Sequence, residues 1–237
     1  MSSAPSADRI QSLFNRIAPV YDRFNDRLSV GAHRVWKQMT VKWSGARPGD
    51  TCLDVCCGSG DLAMRLAGAV APNGGVVGVD FSTAQLQVAR ERSVHCYPPG
   101  AVDWIEGDAL DLPCEDSTFD AATMGYGLRN LTDISRGLQE LHRVLKPGKS
   151  AAILDMHRPE SVLMRSFERW YLDTVVVPTA ERFGLTAEYA YIGSSLERFP
   201  VGREQVRLAR VAGFDRATHY PIAGGMMGVL VATKGYT

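Results

Sequence analysis

The chain has 237 residues, of which 45% are hydrophobic and 22% are charged, and its 26 basic residues balance its 26 acidic ones. This length suits one α/β domain with a sizeable core, and the balanced charge gives no basic surface that would gather nucleic acid. The five cysteines form no C-x-x-C pair, so free thiols are expected and a metal site is not. No stretch approaches the roughly 18 apolar residues that a membrane span needs.

The N-terminal residues 1–45 are predicted to form a leader and a helical cap, ahead of a main domain at residues 46–237. Within the cap, Tyr21, Asp22 and His33 combine an aromatic ring with two ionisable groups. Two interpretations are open from spacing alone. The segment either packs on the sheet as a surface cap or forms a lid over a substrate.

The run from Thr51 to Asp61 predicts a buried strand, a tight turn and the start of a helix. Gly58 and Gly60 lack a Cβ, so the backbone can turn sharply there and approach a ligand. A second apolar run ends at Asp80, where a carboxylate can accept both hydroxyls of a ribose. Strand, glycine turn and helix together indicate a nucleotide-like ligand.

Two cofactors fit this arrangement. Residues 58–63 satisfy G-x-G-x-x-A, which is typical of dinucleotide-binding oxidoreductases. Asp54 favours S-adenosylmethionine (SAM), because the sulfonium and ammonium groups of SAM attract carboxylates, and D-x-x-x-G-x-G resembles the first motif of class I SAM methyltransferases. Asp108 and Ala109 follow the next predicted strand and resemble the adenine-binding "D-A-x-x-L-P" run of that superfamily, which moves the balance to SAM.

This similarity implies a Rossmann-like, mostly parallel seven-stranded sheet with helices on both faces. A strand at residues 119–124 runs into Gly125, Tyr126, Arg129 and Asn130, where ligands bind in open sheets. A helix is predicted to run from Ile134 until Lys146-Pro147-Gly148 stops it. A strand at residues 150–156 then follows.

Residues 159–200 are predicted to be a substrate-side insertion. Its first part, residues 159–177, is expected to be a helix whose apolar stripe would ordinarily be core but could instead give apolar cover to the substrate. An aromatic segment with Tyr189 and Tyr191 follows. A short helix at residues 204–212 and a β-hairpin at residues 214–233 complete the predicted fold.

Three blocks then resemble one family, the ubiquinone/menaquinone biosynthesis C-methyltransferases. The segment from Tyr21 to Trp36 is similar to Y-D-x-x-N-x-x-x-S-x-G-x-H-R-x-W, and Gly127–Asp133 and Arg143–Gly148 are similar to the family's later blocks. Residues 54–61 and 224–231 resemble the cyanobacterial and plastid members. Cys56 and Lys149 depart from the general pattern, in that each replaces a glycine.

The resemblance implies SAM-dependent C-methylation of reduced 2-phytyl-1,4-naphthoquinone in phylloquinone synthesis. Alternative acceptors are a demethylmenaquinol or a prenylated benzoquinol. Readings from other classes are an NAD-dependent oxidoreductase and a non-catalytic SAM-binding subunit. A cytoplasmic or stromal protein at the periphery of the thylakoid membrane is expected, and the sequence is compatible with a homodimer.

Site residues follow from the motifs and the chemistry of a carbon nucleophile. Arg129 is expected to stabilise the quinol oxyanion, since it is a fixed cationic donor. A water ordered by Arg129 and Asn130 is one candidate for the base, and His33, Asp22 and Tyr21 are the others. Tyr126, Tyr189 and Tyr191 are expected to contact the substrate. The predicted cofactor residues are Asp54, Gly58, Ser59, Gly60, Asp80, Phe81, Asp108, Ala109 and Gly125.

Overall fold

The computed structural model describes residues 31–94, 100–178 and 193–236. Seven strands form one sheet in the order β3-β2-β1-β4-β5-β7-β6. The pairs among β1 to β5 are parallel, and β7 is antiparallel to both β5 and β6. The strands are β1 (Thr51–Val55), β2 (Gly75–Asp80), β3 (Val102–Glu106), β4 (Phe119–Gly125), β5 (Leu145–Met156), β6 (Arg216–Ile222) and β7 (Met227–Thr233).

Helices cover both faces of the sheet, as predicted. Leu53 and Val55 point to one face and pack with side chains of α4 and α6, while Cys52 packs on the other with α1 and α2. This alternation follows from the two-residue period of a strand. The helices are α1 (Ala32–Ser44), α2 (Asp61–Val70), α3 (Thr83–Ser93), α4 (Ile134–Val144), α5 (Val162–Tyr171) and α6 (Gly202–Val211).

Side-chain caps start two of these helices. Ser82 accepts a hydrogen bond from Gln85 N at the start of α3, and Asp133 accepts one from Arg136 N at the start of α4. Such caps satisfy backbone N–H groups that lack a partner inside the helix. They explain why α3 and α4 begin where they do.

Three predicted boundaries were wrong. The helix before the Lys146-Pro147-Gly148 turn already ends at Val144, and β5 begins at Leu145 rather than at Ser150. The β4–β5 pairing shifts register between Phe119 and Ala121, which accommodates the turn inside the strand. The predicted helix at residues 159–177 is a shorter α-helix, α5, followed by a π-helical stretch at Leu172–Val176.

Of the two interpretations of the α5 stripe, core packing or apolar cover for the substrate, the structure excludes core packing. Leu163, Phe167 and Trp170 are exposed rather than buried. The inner side of α5 is occupied instead by Met164, which reaches the turn at Gly224. A helical apolar period shows which residues share a face, but not whether another element covers that face.

The sheet topology determines where a ligand can bind. β1 lies between β2 and β4, so the chain proceeds in opposite directions from β1 across the sheet. In open α/β sheets the crevice at the carboxyl ends of such strands is the binding site. The predicted cofactor residues lie at or just after the carboxyl ends of β1, β2, β3 and β4, so they are brought to this edge.

Candidate active site

A cavity lies at the carboxyl ends of β1, β2 and β4. It gathers every predicted cofactor residue except Gly60, together with the predicted Tyr126 and Asn130. Gly60 instead begins α2, with φ at 86°. The other lining residues, which were not among the predicted site residues, include Lys37, Cys56, Cys57, Asp61, Leu62, Val79, Gln85, Gly107, Leu110, Gly127, Leu131 and Thr132.

Asp54 places a buried carboxyl group in the wall of this cavity. Its Oδ1 accepts a hydrogen bond of 2.7 Å from Thr123 Oγ1, the residue paired with it across β1 and β4. Among the described residues, its buried Oδ2 has no partner with hydrogen-bond geometry, although the backbone N–H of Ala63 acts on the carboxylate and lowers its pKa. Burial raises the pKa of Asp54 from 3.8 to about 7, against the lowering effect of the Thr123 hydrogen bond. A cationic group in the cavity would supply the missing partner and favour the ionised form.

The glycine turn after β1 lets the backbone approach the cavity. Gly58 has a φ of 53° and donates its N–H to Asp80 Oδ2 at 2.8 Å. A Cβ on Gly60 would lie 2.4 Å from the Trp104 ring, so only glycine fits there. Cys56, where the general motif has glycine, also takes a left-handed φ of 54°. This conformation explains the usual glycine, because a side chain in it costs roughly 1–2 kcal/mol.

Asp80 and Asp108 are held by backbone groups. Asp80 accepts from Gly58 N and, at 2.9 Å, from Ser82 N, and burial raises its pKa. Asp108 Oδ1 accepts from Leu110 N at 2.9 Å. Each carboxylate oxygen has a second lone pair, so these bonds fix the carboxylates while leaving acceptor capacity for a ligand.

Lys37 is the functional candidate that the sequence did not reveal. It lies on α1, is buried, and reaches the cavity, where its Nζ donates to Asp61 Oδ2 at 2.6 Å. Burial alone would raise the pKa of Asp61, but the ammonium of Lys37 and the neighbouring Arg65 lower it. Nζ also lies 5.9 Å from the centre of the Tyr126 ring. The pair joins residues 24 positions apart, so no local motif could indicate it.

Arg129 forms a buried ion pair with Asp155. Its Nη1 lies 2.5 Å from Asp155 Oδ1, and its backbone N–H donates to Oδ2 of the same carboxylate. Nη1 also donates to Tyr126 O, as does Asn130 Nδ2 at 2.8 Å. Tyr126 has a left-handed φ of 60°, a strained conformation of the kind found at ligand sites. Arg129 and Asn130 therefore hold the backbone of the loop after β4.

The remaining predicted residues divide into two groups. His33 is buried in the first turn of α1 and, within the described residues, is not part of the cavity lining. Tyr21, Asp22, Tyr189 and Tyr191 lie outside the described residues. In the part of the chain that the structure describes, no cluster of three or more His, Cys, Asp or Glu side chains could hold a metal.

Solved structures support the fold assignment. A SAM-dependent methyltransferase from Aquifex aeolicus matches 83% of this chain and 88% of its own with a TM-score of 0.60 at 22% identity. The Haemonchus contortus phosphoethanolamine N-methyltransferase 2 bound to SAM matches 84% of this chain and 52% of its own, with a TM-score of 0.62 at 19% identity. The sheet thus has the class I SAM-dependent methyltransferase architecture.

Sequence comparison decides the family. Residues 3–234 match the ubiE/COQ5 methyltransferase family. The chain belongs to this family. A Nostoc protein named 2-phytyl-1,4-naphtoquinone methyltransferase is 61% identical over 227 residues, which cover 96% of this chain and 99% of that protein. An Arabidopsis thaliana protein named 2-phytyl-1,4-beta-naphthoquinone methyltransferase, chloroplastic, is 51% identical over 94% of this chain and 86% of its own.

As a member of the ubiE/COQ5 family, the chain is a SAM-dependent methyltransferase, which confirms the predicted enzyme class over the dehydrogenase. The cavity fits this cofactor. The unpaired buried oxygen of Asp54 is suited to a cation, and the open turn at Gly58 leaves room for a ligand beside the backbone. Asp80 and Asp108 supply fixed acceptors for hydroxyl and amine donors.

Proposed function

We propose that this enzyme methylates a ring carbon of reduced 2-phytyl-1,4-naphthoquinone. The observation that carries the proposal is the 50–62% identity, over 94% or more of this chain, to proteins that bear this name. The cavity agrees with such a reaction, since it combines the carboxylates that suit SAM with an aromatic residue, Tyr126, and an amide, Asn130.

Each end of the donor has a matching group in the cavity. Asp80 would accept from the ribose hydroxyls, and the turn at Asp108 and Ala109 would hold the adenine. Asp54 would pair with the cationic methionine end, while Lys37 would bind its carboxylate. The donor supplies, when bound, a methyl group already activated by a sulfonium.

The protein must then orient the acceptor ring and promote loss of its hydroxyl proton. Holding two reactants in line can lower the activation free energy by roughly 7–11 kcal/mol. Of the residues predicted to bind the substrate or to catalyse the reaction, Tyr126 and Asn130 line the cavity, so we place the ring against them. As the carbon–carbon bond forms and the carbon–sulfur bond of the donor breaks, the quinol oxygen would pass its proton to a base among the predicted candidates. Loss of the hydrogen on the methylated ring carbon and return of a proton to the oxygen would then restore the aromatic quinol.

We revise the role predicted for Arg129 from stabilising the oxyanion to positioning a loop. Its guanidinium faces Asp155 and, in the described structure, does not line the cavity. To reach a quinol oxygen it would have to leave or share Asp155. We therefore propose that Arg129 acts as a positioning residue, which holds Tyr126 O and thereby the loop on which the ring rests.

A phytyl tail also requires contact with a lipid phase. Each buried CH₂ contributes about 0.8 kcal/mol, so such a quinol partitions strongly into membranes. No helix among the described residues is both long and apolar enough to cross a bilayer. We accordingly propose that the enzyme meets its substrate as a peripheral protein at a membrane surface, in plastids or cyanobacteria the thylakoid.

The direct test offers the purified protein methyl-labelled SAM with reduced 2-phytyl-1,4-naphthoquinone, and in parallel with a demethylated prenyl benzoquinol. Label in the naphthoquinol is the expected result. Label in the benzoquinol alone would keep the methyltransferase chemistry and reject the proposed ring. Tight SAM binding with label in neither acceptor would favour a binding subunit instead.

A further inference from the structure

Helix α5 turns an apolar face outward. The exposed fractions are 77% for Leu163 and 56% for Trp170, and Val162 and Phe167 are exposed as well. The side of α5 that faces the protein carries Met164, which packs at Gly224. A surface helix ordinarily buries its apolar stripe, whereas α5 leaves an apolar stripe exposed.

The exposed side chains form one continuous stripe. Leu163, Phe167 and Trp170 are spaced by four and three residues, which places them on one face of a helix. The ring centres of Phe167 and Trp170 are 5.8 Å apart. A contiguous apolar surface of this kind is characteristic of a site that another apolar phase covers.

One exposed arginine adjoins this stripe. Arg169 immediately precedes Trp170 and has no ion pair within the described residues. Arg165 is half-buried and lies two positions after Leu163, on the other side of the helix. Arg158 and Glu160 precede the helix and line the cleft that contains His219, and Asp173 lies beyond its end. Among the α5 side chains that the structure describes, the exposed charge is therefore the guanidinium of Arg169.

The helix also leaves the sheet at the edge that holds the cavity. It starts six residues after the carboxyl end of β5 at Met156. The neighbouring strand β4 ends in Gly125, and Tyr126, which lines the cavity, donates its N–H to Leu154 O of β5 at 2.7 Å. A lipid held against α5 is thus on the side of the sheet where the acceptor is methylated.

We propose that α5 is a membrane-docking helix, which inserts Leu163, Phe167 and Trp170 into the interface of a bilayer while Arg169 contacts anionic headgroups. An interfacial helix combines an apolar face, an aromatic residue at headgroup depth and a flanking cation, and α5 has all three. The assignment rests on the proposed function only in that the phytyl tail explains why the enzyme needs a membrane.

The test measures binding to vesicles in the absence of SAM and quinol. One set contains phosphatidylcholine and phosphatidylglycerol, and the other contains phosphatidylcholine alone. The triple variant Leu163→Gln/Phe167→Gln/Trp170→Gln should lose at least about tenfold in partition coefficient on both sets, because three apolar side chains no longer insert. The variant Arg169→Gln should lose about fivefold, on the anionic vesicles only.

Two controls match these variants. Val211→Gln replaces an apolar side chain of α6 that is 65% exposed, and Arg203→Gln replaces an exposed arginine of the same helix. Both should bind like the wild type, and circular dichroism should show that every variant is folded. Wild-type binding by the triple variant would overturn the proposal, as would a wild type that binds neither vesicle.

A second copy of the chain is the competing occupant of this face. Analytical ultracentrifugation would reveal it as a dimer that the triple variant disrupts, without vesicle binding, and that result would also overturn the proposal. Failure of the proposed function can be told apart from failure of the docking proposal. An enzyme that methylates no naphthoquinol but loses vesicle binding through α5 substitutions would leave this inference standing.

Discussion

Asp54 combines burial, an unpaired oxygen and a raised pKa in one side chain of the proposed SAM site. In the ligand-free protein, the folded state keeps a proton on Asp54 that the unfolded chain loses above pH 3.8. The stabilising effect of that proton is present at low pH and is lost as the pH rises towards about 7. Binding of a cation reverses the balance by favouring ionisation.

Asp54→Asn should therefore weaken SAM binding by about tenfold or more while stabilising the ligand-free protein at pH 8 by about 2 kcal/mol. Isothermal titration measures the first effect and urea unfolding the second. In the wild type, SAM affinity should also rise between pH 6 and 8, because the Asp54 carboxyl group, with a pKa of about 7, ionises over this range. Unchanged affinity and an unchanged pH profile in Asp54→Asn would remove Asp54 from the site.

Lys37→Met tests the group that sequence patterns missed. Without the ammonium, the pKa of Asp61 should rise, and the methionine carboxylate of SAM should lose its cationic partner. We expect SAM affinity to fall by about tenfold or more, with the KM for the quinol little changed. Arg65→Met is the matched control, because Arg65 also pairs with Asp61 but is not part of the cavity lining. Equal losses in both variants would indicate that Lys37 acts only through Asp61.

The element that depends most on one interaction is the loop after β4. Arg129 and Asp155 have side-chain exposures of 6% and 2%, so removal of either partner leaves a buried charge without compensation. Arg129→Ala and Asp155→Ala should each lower the free energy of unfolding by about 3–5 kcal/mol.

The double variant Arg129→Met/Asp155→Leu distinguishes the effect of losing the ion pair from the effect of leaving one buried charge without its partner. It should recover much of the stability that each single variant loses, since no buried charge remains, yet it should keep reduced turnover if the pair positions the Tyr126 loop. Thermal unfolding and turnover are measured together. A stable Arg129→Ala protein with lost turnover would instead support the direct oxyanion role.

Local motifs predicted the fold and the site well where the residues that act together lie close to one another in the sequence. The strand, glycine turn and helix at residues 51–70 form as expected, because buried apolar residues and glycines act within a few positions. Asp155 and Lys37 could not be recognised in the same way. Their partners Arg129 and Asp61 are 26 and 24 residues distant, so only the folded sheet reveals the pairs.

Whole-molecule stability should respond to acid through a pair of histidines. His157 is buried, its Nε2 lies 3.0 Å from that of His219, and burial together with His219 lowers its pKa to about 3. The amide of Gln205 approaches His157. The charged residues that line the adjoining cleft are Arg158, Glu160, Glu197 and Arg203. Burial also lowers the pKa of His219, although Glu160 opposes this.

A lowered histidine pKa means that the unfolded chain binds a proton before the folded one does. Stability should consequently be lost as the pH falls below about 6.5, by up to about 1.4 kcal/mol per pH unit for each proton. Asp54 acts in the opposite direction, so the measurement is best made in Asp54→Asn. Urea unfolding between pH 7.5 and 4.5 should show a steeper acid loss there, and His157→Gln should flatten it. A pH slope that His157→Gln leaves unchanged would contradict this assignment.

The sequence motifs predicted the sheet topology of the whole molecule, but they did not predict which apolar faces other elements cover. The parallel sheet and its binding edge agree with the prediction, because strand–helix alternation constrains the topology strongly. The outward face of α5 was missed, because periodicity records a stripe without recording what lies against it.

A crystal structure with S-adenosylhomocysteine, the product of methyl transfer from SAM, tests the central assignment most directly. The account predicts the ribose hydroxyls at Asp80, the adenine beside Asp108 and Ala109, and the methionine end between Asp54 and Lys37. A ligand bound elsewhere, or one in this cavity whose amino acid end contacts neither Asp54 nor Lys37, would contradict it.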